Sequence, residues 1–193
     1  MTEYGIEWER ELAELWSAFD DLSEQEFLLR MTRLTDQLPD ESPVRPFELA
    51  AALDSTGHPE GAVPLYELAI ASGVGLIRRR RAVIQLASSL RLLGRAEESV
   101  ELLTAERAQL PGVDGDNFTD DRYFDDGSDD ERVHGGSLGN DELSDELCTV
   151  LALALVDVGR EREAVSVALT ALVPHLTRYR RSMANYARQL LDD

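Results

Sequence analysis

The chain of 193 residues contains no lysine, and all nineteen of its basic side chains are arginine. Without lysine it cannot form a side-chain Schiff base, hold pyridoxal phosphate in the usual covalent way or build a Walker P-loop. Acidic residues number 38, which gives a formal net charge of −19. Because nucleic-acid binding relies on cations that neutralise phosphates, this balance predicts that nucleic acid is not a partner.

Cysteine is almost absent as well. Cys148 is the single cysteine, so no disulfide can form within the chain. A nucleophilic cysteine needs a base and an electropositive environment, and a buried structural cysteine is the expected alternative. The three histidines form no His-x-x-x-His pair, which argues against a zinc site. We therefore expect no metal, no cofactor and no catalytic residues.

Long apolar runs are also missing. The longest lies at residues 149–156, far short of the roughly 20 residues that a membrane-spanning helix requires. The first fourteen residues carry five glutamates and lack the basic and apolar regions of a signal peptide. These features predict a soluble, cytoplasmic protein without a membrane partner.

The negative charge is concentrated in two parts of the chain. Residues 1–42 have a net charge of −9 and residues 112–147 a net charge of −11, whereas residues 43–111 are neutral and residues 148–193 carry +1. Within the second acidic part, residues 112–139 contain six glycines and nine acidic residues. Such a composition buries too little apolar surface to offset the entropy of ordering, so it predicts a flexible acidic insert.

Three glycines, Gly57, Gly94 and Gly159, mark an internal repeat. An alanine stands seven residues before each glycine and a leucine eight before, while the fifth residue after it is small and the sixth is valine. The matching residues are Leu49, Ala50, Ala62 and Val63, then Leu86, Ala87, Ser99 and Val100, then Leu151, Ala152, Ala164 and Val165. Apolar residues at helical spacing on both sides of a turn glycine predict helical hairpins that stack on one another.

This pattern resembles the tetratricopeptide repeat family, whose helix-turn-helix unit has a small residue in each helix and a glycine in the turn. In the first unit Tyr66 and Ala69 also occupy the positions of the family's aromatic residue and late alanine. The chain is most similar to the group-5 tetratricopeptide repeat proteins of bacteria, over residues 43–111 and 143–191, with the acidic segment outside the resemblance. The resemblance implies an all-α, tetratricopeptide-repeat-like solenoid of helical hairpins, interrupted by a long acidic loop.

The ends of the chain extend this solenoid. Trp8, Leu12 and Leu15 recur at helical spacing, and Ser23 with Glu26 is typical of a capping box at the start of a second helix. We expect residues 1–193 to form a single domain. Its predicted parts are a degenerate N-terminal hairpin at 1–42, repeats at 43–76, 77–111 and 143–175, an acidic insert at 112–142, and one C-terminal capping helix at 176–193.

A cluster of arginines at residues 78–81 begins the second repeat. At helical spacing Arg81, Gln85 and Ser88 share one face, opposite the apolar residues of the same helix. The resemblance implies that the first helices of such repeats line a concave groove, which these three side chains would face. Arginine suits carboxylates and phosphates. The alternative is a solvated helix start whose arginines pair with glutamates of the same chain.

Other polar residues could extend the groove. They lie in the capping helix and are Arg180, Arg181 and Asn185. The expected function is a non-enzymatic scaffold that binds an unidentified protein or peptide, which could be acidic, and a homo-oligomer is left open. A second hypothesis is a regulated binder whose acidic segment 112–139 occupies its own arginine-lined groove. An enzyme of unrecognised type and an acidic mimic of nucleic acid are more remote alternatives.

Overall fold

A computed structural model describes residues 5–109 and 143–192, and this part of the chain is helical without any strand. Two short 3-10 turns, Phe19–Asp21 and Val173–His175, accompany the α-helices. The helices are α1 (Ile6–Ser17), α2 (Glu24–Thr35), α3 (Val44–Ser55), α4 (Pro59–Ala71), α5 (Leu76–Leu92), α6 (Ala96–Arg107), α7 (Ser144–Asp157), α8 (Glu161–Leu172) and α9 (Arg180–Gln189). The all-α prediction is confirmed for these residues. None of their helices is long and apolar enough to cross a bilayer. The predicted acidic insert at 112–142 lies outside the described residues.

The three glycines of the repeat occupy equivalent turns between paired helices. Gly57, Gly94 and Gly159 have φ angles of +84°, +75° and +74°, in the left-handed region that follows the end of a helix. A side chain built at any of them would meet no atom within 4 Å, so the requirement for glycine comes from the backbone alone. The sequence repeat is thus a repeat of one helical hairpin.

The hairpins stack so that the first helices lie on the inside of the array. Each helix packs against the next in the chain, and in addition α3 contacts α5 and α5 contacts α7. Within the described residues, the second helices α4, α6 and α8 make no comparable contact with one another. Helices on the inner side of a curved stack approach each other more closely than those on the outer side. The first helices α3, α5 and α7 therefore pack along one side of the array, which the resemblance implies is its concave face.

Close approach of the paired helices depends on small side chains. Ala50, Ala62, Ala87 and Ser99 are completely buried, as the repeat alignment predicts. Leu103 is also completely buried at the position where the family has an aromatic residue. A larger side chain at the small positions would have to displace a neighbouring helix.

Two hydrophobic clusters form the core, and α5 contributes to both. One cluster spans α1 to α5 and contains Leu86 and Leu90, and the other spans α5 to α8 and contains Val83 and Ala87. These residues lie on successive turns of α5, whose buried face is broad enough to contact the hairpin on either side. Helix α5 is therefore the joint that links the two halves of the described chain.

The N-terminal hairpin packs as an additional unit on the first repeat. The indole Nε1 of Trp8 donates to the carbonyl oxygen of Leu34 at 3.0 Å, which ties α1 to α2. Ser23 caps α2 by accepting a hydrogen bond from the backbone of Glu26 at 3.3 Å. The side chain of Glu26 pairs with Arg30 and makes no return bond to Ser23, so half of the predicted capping box forms.

The C-terminal helix is shorter than the sequence predicts. We expected one capping helix from Leu176, whereas α9 begins at Arg180. The 3-10 turn that contains Pro174 leads into an extended residue at Leu176, and Tyr179 has a left-handed φ of +64°. The chain therefore has to turn before it can re-enter a helix, and the prediction of the start of this helix was wrong by four residues.

Candidate functional site

The arginine cluster at the start of α5 is largely paired with carboxylates of the same chain. Arg78 lies over the inner face of the first helices, where its Nη2 donates to Glu9 of α1 at 2.7 Å and its Nε donates to Glu48 of α3 at 3.4 Å. This guanidinium therefore connects α1, α3 and α5. The pairing was the alternative that the sequence left open for the cluster.

Glu48 is the buried member of this network. Its carboxylate is almost completely buried and also accepts a hydrogen bond from Nε1 of Trp16 at 3.4 Å. Burial raises the pKa of Glu48, and the neighbouring charge of Arg78 opposes that rise. A buried carboxylate with two donors around it is a structural group rather than an accessible ligand-binding group.

Arg79 and Arg80 pair with a second buried carboxylate. Glu106, in the last turn of α6, accepts from Nη1 of Arg79 at 2.5 Å and from Nε of Arg80 at 2.9 Å. Nη1 of Arg80 is buried and has no hydrogen-bond partner among the described residues. This three-residue cluster joins the two helices of the second repeat.

Arg81 differs from the other three arginines. Its side chain is exposed, and no carboxylate of the described residues lies within ion-pair distance of it. Its guanidinium carbon lies 5.4 Å from the centre of the Phe47 ring, which is a cation–π arrangement. Because Phe47 is completely buried, the ring supports the cation from below and leaves its other side open. Arg81 is thus a positioned cation that makes no direct ion pair in the described part of the chain, while its charge opposes the rise in the pKa of the buried Glu48.

The same face of α5 continues from Arg81 towards the C-terminal end of the helix. It carries Arg81, Gln85, Ser88 and Leu92, which we call the Arg81 row. Gln85 and Ser88 are partly buried on the same face, and the Gln85 Oε1 atom is inaccessible to solvent without a hydrogen-bond partner among the described residues. An amide oxygen in this state can accept a hydrogen bond from an incoming N–H group once the Gln85 side chain turns towards the surface. Leu92, at the end of the row, is 65% exposed. The face therefore presents a cation at one end and an apolar side chain at the other, with an unpaired amide oxygen just beneath the surface between them.

Helix α7 lies beside this row on the concave face. Arg91 of α5 pairs with Asp157 of α7 at 3.1 Å, which ties the C-terminal ends of the two helices. Leu153 and Val156 of α7 are both about half exposed. The inner surface of α5 and α7 thus combines polar groups at one end with exposed aliphatic side chains at the other.

The three predicted residues of α9 lie on a different helix surface from the α5 row. Arg180, Arg181 and Asn185 are exposed, and Asn185 accepts a hydrogen bond from Arg188. Helix α9 packs against α8 and the 3-10 turn before it, and it makes no comparable contact with α5. The structure therefore does not join these three residues to the α5 row by direct packing, and their place in one groove stays a prediction.

The sequence analysis missed the acidic partners of the arginine cluster. Glu9, Glu48 and Glu106 come from three other helices and are 26 to 69 residues away from the arginines they contact. The one available signal was their position, because Glu48 and Glu106 stand on faces that otherwise carry apolar residues. A buried acid of this kind requires a cationic partner.

The described residues contain no cluster of metal-ligating side chains. No set of three or more histidine, cysteine, aspartate or glutamate side chains there could hold a metal ion. Cys148 is buried in the second hydrophobic cluster, as expected for a structural cysteine.

Comparison with known proteins identifies the repeat. The family model described as "Tetratrico peptide repeat" matches residues 43–120 and 132–190, which together make up more than two thirds of the chain. The chain belongs to the tetratricopeptide repeat family. No curated protein and no solved structure matches the chain. The family match also corrects one expectation, because it extends into the acidic segment from both sides and leaves only residues 121–131 between its two parts.

Proposed function

We propose that this tetratricopeptide repeat protein is a non-enzymatic scaffold that binds a peptide segment of a partner protein on the concave face of α5 and α7. The observation that carries the proposal is the Arg81 row. It combines an exposed cation that lacks a carboxylate partner among the described residues with a buried amide oxygen that lacks any partner there. Unsatisfied polar groups in a row along a concave face are suited to an extended ligand.

The order of groups along α5 specifies the chemistry of the peptide. A carboxylate side chain would pair with Arg81, which is already oriented by the Phe47 ring. The Gln85 side chain would turn outwards, and its Oε1 would then accept a hydrogen bond from a backbone N–H of the same peptide. An apolar side chain would then cover the exposed aliphatic surface at Leu92, Leu153 and Val156. The preferred ligand is an acidic residue followed by an apolar one within a few positions.

A peptide array tests this function. The purified protein is applied at low salt to peptides that place aspartate or glutamate at varied distances from leucine. We expect selected acidic–apolar peptides to bind, and Arg81→Glu to weaken their binding by about tenfold, because a partly desolvated charge-assisted contact is replaced by like-charge repulsion. The fold should persist, since Arg81 is exposed and makes no direct ion pair among the described residues.

The matched control is Arg10→Glu. Arg10 is an exposed arginine on α1 that pairs only with glutamates of its own helix among the described residues, so its reversal changes the net charge equally without touching the concave face. Retained binding in Arg10→Glu and reduced binding in Arg81→Glu supports the proposal. Equal binding by both variants contradicts it and directs the search for the site to another surface.

The alternative in which residues 112–139 occupy this groove has its own test. Deleting these residues should strengthen peptide binding in the wild-type background and have less effect in the Arg81→Glu background. One observation limits this alternative. Three of the four clustered arginines already contact Glu9, Glu48 or Glu106, which leaves Arg81 to receive an acidic segment in the cluster.

A further inference from the structure

A cavity of about 280 Å³ lies between the connection from α1 to α2 and the turn that follows α3. The connection supplies Phe19, Asp20 and Leu22 to its walls, the first turn of α2 supplies Glu24 and Phe27, and the residue after α3 supplies Thr56. Thr56 stands nine residues after Phe47, the ring beneath Arg81, which corresponds to roughly 13 Å along a helix. The cavity is therefore separate from the Arg81 row.

The aromatic wall of the cavity is held in place by neighbouring rings. Phe19 meets Phe27 edge to face with ring centroids 4.8 Å apart, and Phe27 packs against Trp16 at 5.1 Å. Phe27 is almost completely buried, whereas Phe19 stays partly exposed where it lines the cavity. A ring that is already fixed by its neighbours loses little conformational freedom when a ligand binds. Aromatic faces attract cations, most strongly where water is partly excluded.

Two carboxylates line the same cavity. Glu24 is engaged, because one of its carboxylate oxygens lies 2.7 Å from Nε2 of His58. Asp20 is exposed, and no cation of the described residues lies within ion-pair distance of it. The cavity thus places a negative charge that has no counter-charge in the described part of the chain beside a fixed aromatic ring.

The walls suit an organic cation better than a metal ion. Calcium takes about six to eight oxygen ligands, and the described residues contain no cluster of three metal-ligating side chains. The hydroxyl group of Thr56 already donates to the carbonyl oxygen of Ala52 at 2.8 Å. An alkylated ammonium needs apolar and aromatic contact for its alkyl groups and a carboxylate for its charge. Phe19 and Leu22 can provide the contact, and Asp20 can provide the charge.

We propose that this cavity binds an alkylated ammonium group between the ring of Phe19 and the carboxylate of Asp20. The group would belong either to a free molecule such as choline or to a methylated lysine of a partner protein, which share this chemistry. A volume of about 280 Å³ admits one such group with a short chain and is too small for a large ligand. The site goes beyond the proposed peptide groove and does not depend on it.

Titration of choline into the isotope-labelled full-length protein tests the site. The backbone amide shifts of Leu22 and Thr56 report on binding at the cavity. Neohexanol, in which carbon replaces the charged nitrogen of choline, is titrated in parallel. We expect neohexanol to bind about tenfold more weakly than choline, because it lacks the attraction to Asp20 and to the Phe19 ring.

A second probe distinguishes the two sources of the cation. This probe is the trimethylated form of N-acetyl-lysine amide. Tighter binding of this probe than of choline supports a site for a side chain of a partner protein. Tighter binding of choline supports a site for a free small molecule. Either order requires that both probes shift the same amides at the cavity.

Variants of the wall locate the contact. Asp20→Asn should weaken choline binding by about threefold and leave neohexanol binding unchanged. The matched control is Asp21→Asn, which removes the same charge from the next residue, exposed but not part of the cavity wall, and should leave choline binding unchanged. Phe19→Leu should also weaken choline binding by about threefold. If Phe19→Leu loses helicity, Asp20→Asn alone decides, because Asp20 is exposed and makes no ion pair among the described residues.

Four results would overturn the proposal. An absence of amide shifts with both cationic probes would show that the cavity takes no ammonium group. Equal affinity for choline and neohexanol would show that it does not recognise charge. Equal effects of Asp20→Asn and Asp21→Asn would assign the attraction to the net charge of the chain. Shifts at Arg81 and Gln85 in place of Leu22 and Thr56 would put the cation on another surface. None of these results bears on the peptide-binding function proposed for α5 and α7.

Discussion

At the scale of single residues, the structure depends on a few carboxylates that are removed from water. Glu48 and Glu106 are almost completely buried, and each faces at least one arginine from the start of α5. Burying an ionised group is costly unless it is paired and hydrogen-bonded. Removing either partner of these pairs therefore leaves a buried charge without compensation and destabilises the fold. Arg78, Arg79 and Arg80 therefore hold four helices together, and Arg81 is the member of the cluster that we propose for recognition.

Neutralising Glu106 tests this structural role. Glu106→Gln would leave two partly buried guanidinium groups without a counter-charge, so we expect a loss of about 3 kcal/mol in the free energy of unfolding. Urea denaturation followed by circular dichroism measures it. Glu98→Gln, which breaks an exposed pair with Arg95 on the same helix, is the control and should leave the midpoint unchanged. A Glu106→Gln protein as stable as the control would show that the cluster contributes nothing to the fold.

At the scale of helices, the hairpins could be predicted because their signals are local. Helix ends at Gly57, Gly94 and Gly159 follow from backbone geometry that glycine adopts most easily, and the buried small residues follow from helical spacing. The start of α9 could not be predicted in the same way. Nothing in the residues around Tyr179 signals a left-handed turn, and the 3-10 turn before it contacts α8, which local sequence does not reveal.

The close contact of paired helices gives a prediction at this scale. Ala87 of α5 is completely buried opposite α6, so Ala87→Leu should lower the free energy of unfolding by about 1–3 kcal/mol through overpacking. Thermal and urea denaturation of the variant measure this. Ala13→Leu provides the comparison, because Ala13 is exposed on α1 and the added methylenes meet solvent. Identical stability of the two variants would show that the alignment of the repeats is wrong.

At the scale of the whole molecule, the proposed recognition surface arises from the stacking of the hairpins. Arg81, Gln85 and Ser88 share one face by helical spacing alone, which the sequence predicts. Their surroundings are set by other helices: Phe47 of α3 lies beneath Arg81, and α7 lies alongside. The pairing of the other three arginines with Glu9, Glu48 and Glu106 needed the same long-range information. The local sequence pattern therefore predicts which residues face outwards. The stacking of the helices decides which of these residues pair with carboxylates of the same chain and which could contact a ligand.

The central claim is that the concave face of α5 and α7 binds the peptide. The most direct measurement is the change in backbone amide chemical shifts of the isotope-labelled full-length protein when the best acidic–apolar peptide from the array is added. The account predicts that the largest changes lie in α5 from Arg81 to Leu92 and on the neighbouring turns of α7, and that they vanish in Arg81→Glu. Changes confined to the outer helices α4, α6 and α8, or equally large changes in Arg81→Glu, would contradict it.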